Sequence, residues 1–409
     1  MAYCEYGLRF MDTALRNRLL FAFYIPSALI SVAWAVLNPI LPVYASSLTD
    51  AYALIGIMLA AASLGRVFGS LPSSWLLRAF GVKRTMLIGI TVTLLPMLGL
   101  FFVRNLWLII ALLWVVGIGL AIYSIARHAY ISVVIPIAIR GRAISLLGGV
   151  FRIGSFIGPI IGGWVGGTFG LQAAFIAFFI VGFTSLACVL FFMENIEAEE
   201  VSISEKKPIS FTTMLRDNYR VISAAGLGVW LVMLTREGWR VLVPLYAANA
   251  LGLDVQTIGF VLGFGAAFDM LFFWVSGIVM DRFGRKWAIV PSFVIQGLGI
   301  ALILIAPNAF ALMAVAAFIG FGNGLSSGTM MTTGADLAPS DTRNEFLSMW
   351  HFIGDMGGVS GPLIVGFIAQ AFVIQISVIS IAGAGFGAAL LFALFVPETL
   401  KKRKQKYPK

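Results

Sequence analysis

Cysteine, histidine and charge are what this 409-residue sequence has least of. Cys4 stands near the N-terminus and Cys188 inside an apolar run, so neither a disulfide framework nor a thiolate metal site is expected. His128 and His351 are the only histidines and lie far apart in the chain, which leaves no zinc pattern. No nucleophile–base cluster is evident either, so an enzyme is disfavoured, and no cofactor or metal is implied. Only 11% of residues are Asp, Glu, Lys or Arg, whereas 60% are hydrophobic. Soluble domains carry about 25% charged and about 45–50% apolar residues. That much apolar side chain has no place in water-surrounded cores, which excludes a soluble protein. At about 20 residues per span, the chain accommodates about twelve spans.

Apolar runs fall at 19–48, 52–77, 85–103, 106–135, 143–168 and 171–193, then at 219–249, 254–280, 287–306, 308–338, 345–370 and 373–396. The first is too long for a signal-peptide core and reads as a retained span. The one long polar stretch, 194–220, divides the runs into two sets of six. The expected organisation is a six-span half over 1–193, a cytoplasmic loop over 194–218, and a second half with a short basic tail over 219–409. The fold class is therefore all-α and membrane-embedded. The N-terminus, the even-to-odd loops and the C-terminus carry 22 of the 28 Lys and Arg, and the opposite loops carry one, Arg104. By the positive-inside rule both termini and the central loop are cytoplasmic, in a multi-pass protein of the cell membrane. The net charge of +10 is thus topological, and no nucleic-acid partner is implied.

The two halves repeat at an offset of 203 residues. Phe80, Gly81 and Lys83 fall on Phe283, Gly284 and Lys286; Gly117 and Gly119 on Gly320 and Gly322; Pro136 on Pro339; Arg140 on Arg343. Gly154, Gly158 and Pro159 fall on Gly357, Gly361 and Pro362. In the first span the offset is 202, pairing Pro42 and Tyr44 with Pro244 and Tyr246. Many transporters build two rocking bundles from such repeats.

The loop after span 8, Gly277-Ile-Val-Met-Asp281-Arg282-Phe-Gly284-Arg285-Lys286, resembles the G-x-x-x-D-R-x-G-R-K signature of the major facilitator superfamily. Span 5 carries Gly154-x-x-x-Gly158-Pro159-x-x-Gly162-Gly163, similar to a motif of that superfamily's drug–proton antiporters. The resemblance covers the whole chain and implies two pseudo-symmetric six-helix bundles. It also implies a central cavity lined by spans 1, 4, 7 and 10, a small-molecule substrate, and a coupling ion such as the proton. Two positions depart from the pattern. Arg78 and Ala79 replace Asp-Arg after span 2, and Leu113 stands where span 4 of the family has its coupling Arg.

Charges inside spans are costly, at least about 2.5–3.5 kcal/mol each, and face a cavity or a partner. In repeat-related positions, Arg66 corresponds to Asp269 and Arg152 to Asp355. The family's packing of span 2 on 11 and span 5 on 8 then implies two bridges, Arg66–Asp355 and Arg152–Asp269. Arg78 corresponds to Asp281 and Arg142 to Glu345, which implies a cytoplasmic latch of Arg78 with Glu345 and Asp281 with Arg142. Arg282, Gly158 and Pro159 join this gating set. For the cavity, span 1 offers Asn38 before a kink at Pro39, and span 4 offers Tyr123, Ser124, Arg127 and His128. Span 7 offers Arg236, Glu237 and Arg240, and span 10 offers Asn323, Ser326 and Ser327. Glu237 is expected to pair with Arg127. Glu237, Asp269 and Asp355 are the candidate proton carriers. The expected function is export of a small organic compound by proton antiport, acting as a monomer in the bilayer. The arginines keep open the uptake or exchange of an organic anion. A non-transporting sensor fits the fold but would normally bring an added soluble domain.

Overall fold

The computed structural model describes residues 19–135, 137–195 and 211–400, and among these every regular element is helical. A π-helical turn, Leu20–Tyr24, leads into α1, Ile25–Leu48. Then come α2 (Tyr52–Phe102), α3 (Leu106–Val134), α4 (Ile137–Phe169) and α5 (Ala173–Phe192). The rest of the chain forms α6 (Phe211–Asn249), α7 (Val255–Arg282), α8 (Arg285–Leu302), α9 (Ala309–Leu325), α10 (Thr329–Leu337), α11 (Arg343–Ala371) and α12 (Ile374–Leu394).

Eleven helices of the described chain are long and apolar enough to cross a membrane. The twelfth span is hidden in α2. Its 51 residues are interrupted at Gly81, whose φ of 73° and ψ of 178° end one helix and start another. At 1.5 Å per residue, 51 residues exceed twice the ~30 Å hydrocarbon core, so α2 supplies spans 2 and 3. Gly284, the repeat partner of Gly81, also has positive φ, 120°, and starts α8. Side chains other than glycine rarely adopt that backbone, so both signature loops turn by the same means.

Three helices begin with a side-chain cap: Asn105 accepts from the Leu108 N–H, Asp254 from Thr257, and Asn308 from Ala311. All three caps lie in the loops that are poor in Lys and Arg. There a short Asn or Asp satisfies the orphan N–H groups without adding a cation.

Two boundaries differ from the sequence expectation. The helix that carries span 7, α6, extends back to Phe211 into residues assigned to the central loop, while its apolar span runs over Val221–Asn249. Span 10 is two helices, α9 and α10, separated at Ser326–Gly328 with Gly328 in the left-handed region (φ 73°). In span 1, α1 continues through Pro39 without interruption.

The chain divides into two compact units, 1–40 with 61–203, and 41–60 with 204–409. In the first unit, α4 lies against α1 through its glycines. A Cβ on Gly158 would sit 2.4 Å from the Cβ of Ala35, and one on Gly162 would sit 2.0 Å from the Val36 carbonyl oxygen. In the second unit, the start of α2 packs on α11. A Cβ on Gly56 would lie 2.7 Å from the Pro362 oxygen, and Asn249 donates to the Tyr52 hydroxyl at 3.3 Å. That close approach places Leu41–Ala60 with the second unit.

The signature loop is fastened to the end of the chain. Arg285, with a side chain 3% exposed, sets Nε 2.9 Å from Asp336 and donates to the Met280 carbonyl at 2.6 Å. Thr399 donates to the same Asp336 oxygen at 3.0 Å. Glu398 accepts from the backbone N–H groups of Arg285 and Lys286 at 2.9 and 3.0 Å, and so caps α8 from 113 residues away. Burial alone would raise the Glu398 carboxyl. The N–H groups of Leu400, Arg285, Lys286 and Thr399 outweigh that and hold it below its ordinary value.

Candidate functional site

Span 4 is α3, and its Arg127 is 94% withdrawn from solvent, with 6% exposure. The guanidinium lies 4.5 Å from the ring centre of Phe151 and 5.5 Å from that of Tyr123. Its Nη2 donates to Ser124 Oγ at 3.3 Å, and its Nε is buried without an acceptor. Tyr123 is buried, with its hydroxyl 3.4 Å from Ser27 Oγ on α1. One residue on, His128 points to the exposed side, with Nδ1 2.7 Å from the Ser124 carbonyl oxygen. Asn38 is half-buried on α1.

The second unit holds a cavity of about 280 Å³. Val229, Met233 and Arg236 of α6 form one wall, Met330 and Met331 of α10 a second, and Trp350, His351, Gly354 and Asp355 of α11 a third. His351 and Asp355 are four residues apart and share a helix face. Arg236 reaches the break in span 10, where Nη2 donates to Ser326 Oγ at 2.8 Å and to the Ser326 carbonyl at 3.3 Å. The final carbonyls of a helix lack intrahelical donors and carry partial negative charge, so an arginine there both satisfies and stabilises the end of α9. Asn323 and Ser327 flank the break. The Ser327 carbonyl accepts from Ser276 at 2.8 Å.

Glu237 is held by Arg240 at 2.8 Å on the same helix, whereas the sequence reading paired it with Arg127. The pairing follows from geometry: residues three apart on a helix are neighbours.

The gating set is less enclosed. Arg66 donates to Ser63 at 2.9 Å and Arg152 to the Gly148 carbonyl at 3.1 Å. Arg78, Arg142 and Arg282 are exposed, Glu345 and Asp269 are half-buried, and Asp281 is 80% exposed with its oxygen 3.6 Å from Arg285. Gly158 forms part of the α4 face packed closely on α1, and Pro159 beside it is buried. Sequence reasoning missed Asp336, Glu398 and Thr399, and took Arg285 only as part of a loop signature. Also missed was an absence: no Asp or Glu occurs between Asp50 and Glu194, so the spans around Arg127 hold no carboxylate.

A helical membrane protein of twelve spans, with interior charges and repeat-related signature loops, belongs to the class of polytopic transporters. The family model of the Major Facilitator Superfamily matches residues 24–235 and 225–409, and the chain belongs to that superfamily. It is 23% identical over 380 residues to the probable nitrate transporter NarT of Staphylococcus epidermidis, covering 89% of each chain. To a multi-drug resistance efflux pump PmrA homolog of Lactococcus lactis it is 23% identical over 375 residues, covering 86% of this chain and 88% of that one. Among solved structures, the Escherichia coli xylose transporter XylE aligns over 95% of this chain and 99% of its own, with a TM-score of 0.74 at 14% identity. A POT family transporter aligns over 93% and 96%, with a TM-score of 0.76 at 14% identity. The protein is a multi-pass membrane transporter of small molecules and not an enzyme.

Proposed function

We propose that the protein exports a small organic compound by proton antiport, with both termini cytoplasmic and the monomer as the working unit. The observation that carries this reading is the half-open cavity of the second unit, about 280 Å³ in volume and lined by Arg236 with the exposed His351 and Asp355. A carboxylate beside an arginine changes its interactions when it takes a proton, and a ligand or proton shifts a two-state equilibrium by that difference. Glu237, Asp269 and Asp355 are the proposed carriers. Arg66–Asp355 and Arg152–Asp269 are the proposed bridges that a proton loosens, on the strength of the repeat offset. Arg78–Glu345 and Asp281–Arg142 form the proposed latch. A charge swap of Arg152 and Asp269 should then recover transport that either single reversal removes; equal loss in all three would remove that bridge.

The relatives' names point in two directions, efflux of drugs and transport of nitrate. Efflux agrees with the span 5 motif. An anion agrees with the buried Arg127. Proteoliposomes with an imposed pH gradient separate these readings, using labelled benzyltrimethylammonium and labelled benzenesulfonate as probes. Movement of either probe against its own gradient, driven by the pH gradient alone, supports antiport. Equilibration without accumulation contradicts it.

A further inference from the structure

We infer that Arg127, with Phe151, Tyr123 and Ser124 around it, is an anchoring subsite for an anionic group of the transported compound, a carboxylate or other oxyanion. This rests on the transporter reading above and narrows its substrate class. A guanidinium carries five N–H donors in one plane. Among the described residues, Ser124 Oγ accepts at 3.3 Å and the Tyr123 hydroxyl interacts with the guanidinium, while the buried Nε is left with no acceptor. The rings of Phe151 and Tyr123 offset part of the burial through their π faces. Such contacts amount to less than the cost of placing a cation in a span. A π face also accepts poorly from in-plane N–H groups.

The described spans of this unit contain no Asp or Glu, so none of them offers a counter-ion. The guanidinium fork matches the two oxygens of a carboxylate or sulfonate. The flanking aromatic walls suit a flat apolar body on the same molecule. A structural strut would be served equally by an apolar side chain, with no cost of charge burial.

The test uses the purified full-length chain in lipid nanodiscs and follows its thermal midpoint during titration with sodium benzenesulfonate. Sodium chloride and benzyltrimethylammonium chloride serve as controls. A ligand that binds only the folded state raises the midpoint in a saturable way. The inference expects such a rise with benzenesulfonate alone. It expects apparent affinity to fall about thirtyfold or more in Arg127→Met and to be partly kept in Arg127→Lys. The ligand-free midpoint of Arg127→Met should be unchanged or higher, and Arg104→Gln should bind like the parent. No saturable rise in the parent overturns the inference, as does unchanged affinity in Arg127→Met. If Arg127→Met does not fold, unchanged affinity in Arg127→Lys overturns it. Flux separates the two levels. Transport of benzyltrimethylammonium without anion binding leaves the transporter standing and removes this subsite. Anion binding at Arg127 with no flux of any probe keeps the subsite and removes the antiport reading.

Discussion

Arg236 Nη2 donates to both the hydroxyl and the carbonyl of Ser326, at 2.8 and 3.3 Å, where span 10 breaks into α9 and α10. One side chain thereby holds the end of α9 and borders the cavity of the second unit. Arg236→Ala should remove the charged donor from the Ser326 hydroxyl and one donor from its carbonyl, which keeps Thr329 Oγ1 at 2.7 Å. An expected loss of about 1–3 kcal/mol follows, readable as a lower thermal midpoint, together with reduced flux. Arg236→Lys should recover most of the stability but not the flux, because an ammonium cannot reproduce the planar fork. Equal behaviour of the two variants in both measurements would count against this role.

The Arg285 clasp is a stability device. Removing the cation leaves Asp336 19% exposed beside Thr399 with its charge uncompensated. Arg285→Ala should therefore destabilise by about 3–5 kcal/mol, and Arg285→Ala with Asp336→Asn by less. The same clasp sets a pH dependence. Glu398 is held below its ordinary value, so its contribution is present above the unfolded carboxyl pKa and lost as pH falls through the lower folded value. Thermal midpoints should fall in acid more steeply for the parent than for Glu398→Gln, which should already be weaker near neutrality by about 1 kcal/mol as a lost helix cap. Parallel acid profiles would remove Glu398 from the account.

The span 5 glycines are predicted to be packing positions. Gly162→Ala would drive a methyl into the Val36 backbone, which cannot rotate away, and should cost about 1–3 kcal/mol. Gly149→Ala, on the same helix with nothing within 4 Å of the added carbon, should be neutral or stabilising by up to about 1 kcal/mol. Chemical denaturation of both proteins in detergent compares them. Indistinguishable midpoints would mean that the α1–α4 approach is looser than the structure indicates.

Span count and loop turns were legible because hydropathy runs and a repeat at constant offset are local properties of the chain. Gly81 and Gly284 could be paired from sequence, and both adopt positive φ. The break at Ser326–Gly328 was not legible, since glycines such as Gly320, Gly322 and Gly324 just before it are common in continuous membrane helices. Glu398 and Asp336 were hidden for another reason. Their partners stand 113 and 51 residues away, and only the fold brings them together. The Glu237–Arg240 contact, three residues along one helix, was open to a reading from spacing alone.

Glu237 is proposed to couple protons to transport, with Arg240 2.8 Å from its carboxylate. Glu237→Gln should fold, bind substrate and exchange it, yet lose acceleration by a pH gradient. Counterflow and gradient-driven flux on the same vesicles make the comparison. A variant that still concentrates substrate under a proton gradient alone would remove Glu237 from coupling.

Antiport is tested most directly by watching the proton itself. Proteoliposomes are loaded with a pH-reporting dye, clamped electrically with valinomycin and potassium, and given benzenesulfonate or benzyltrimethylammonium outside. As the transported probe enters, protons should leave and the lumen should become more alkaline, with no change in protein-free vesicles. Acidification of the lumen, or probe uptake at constant internal pH, would contradict proton antiport.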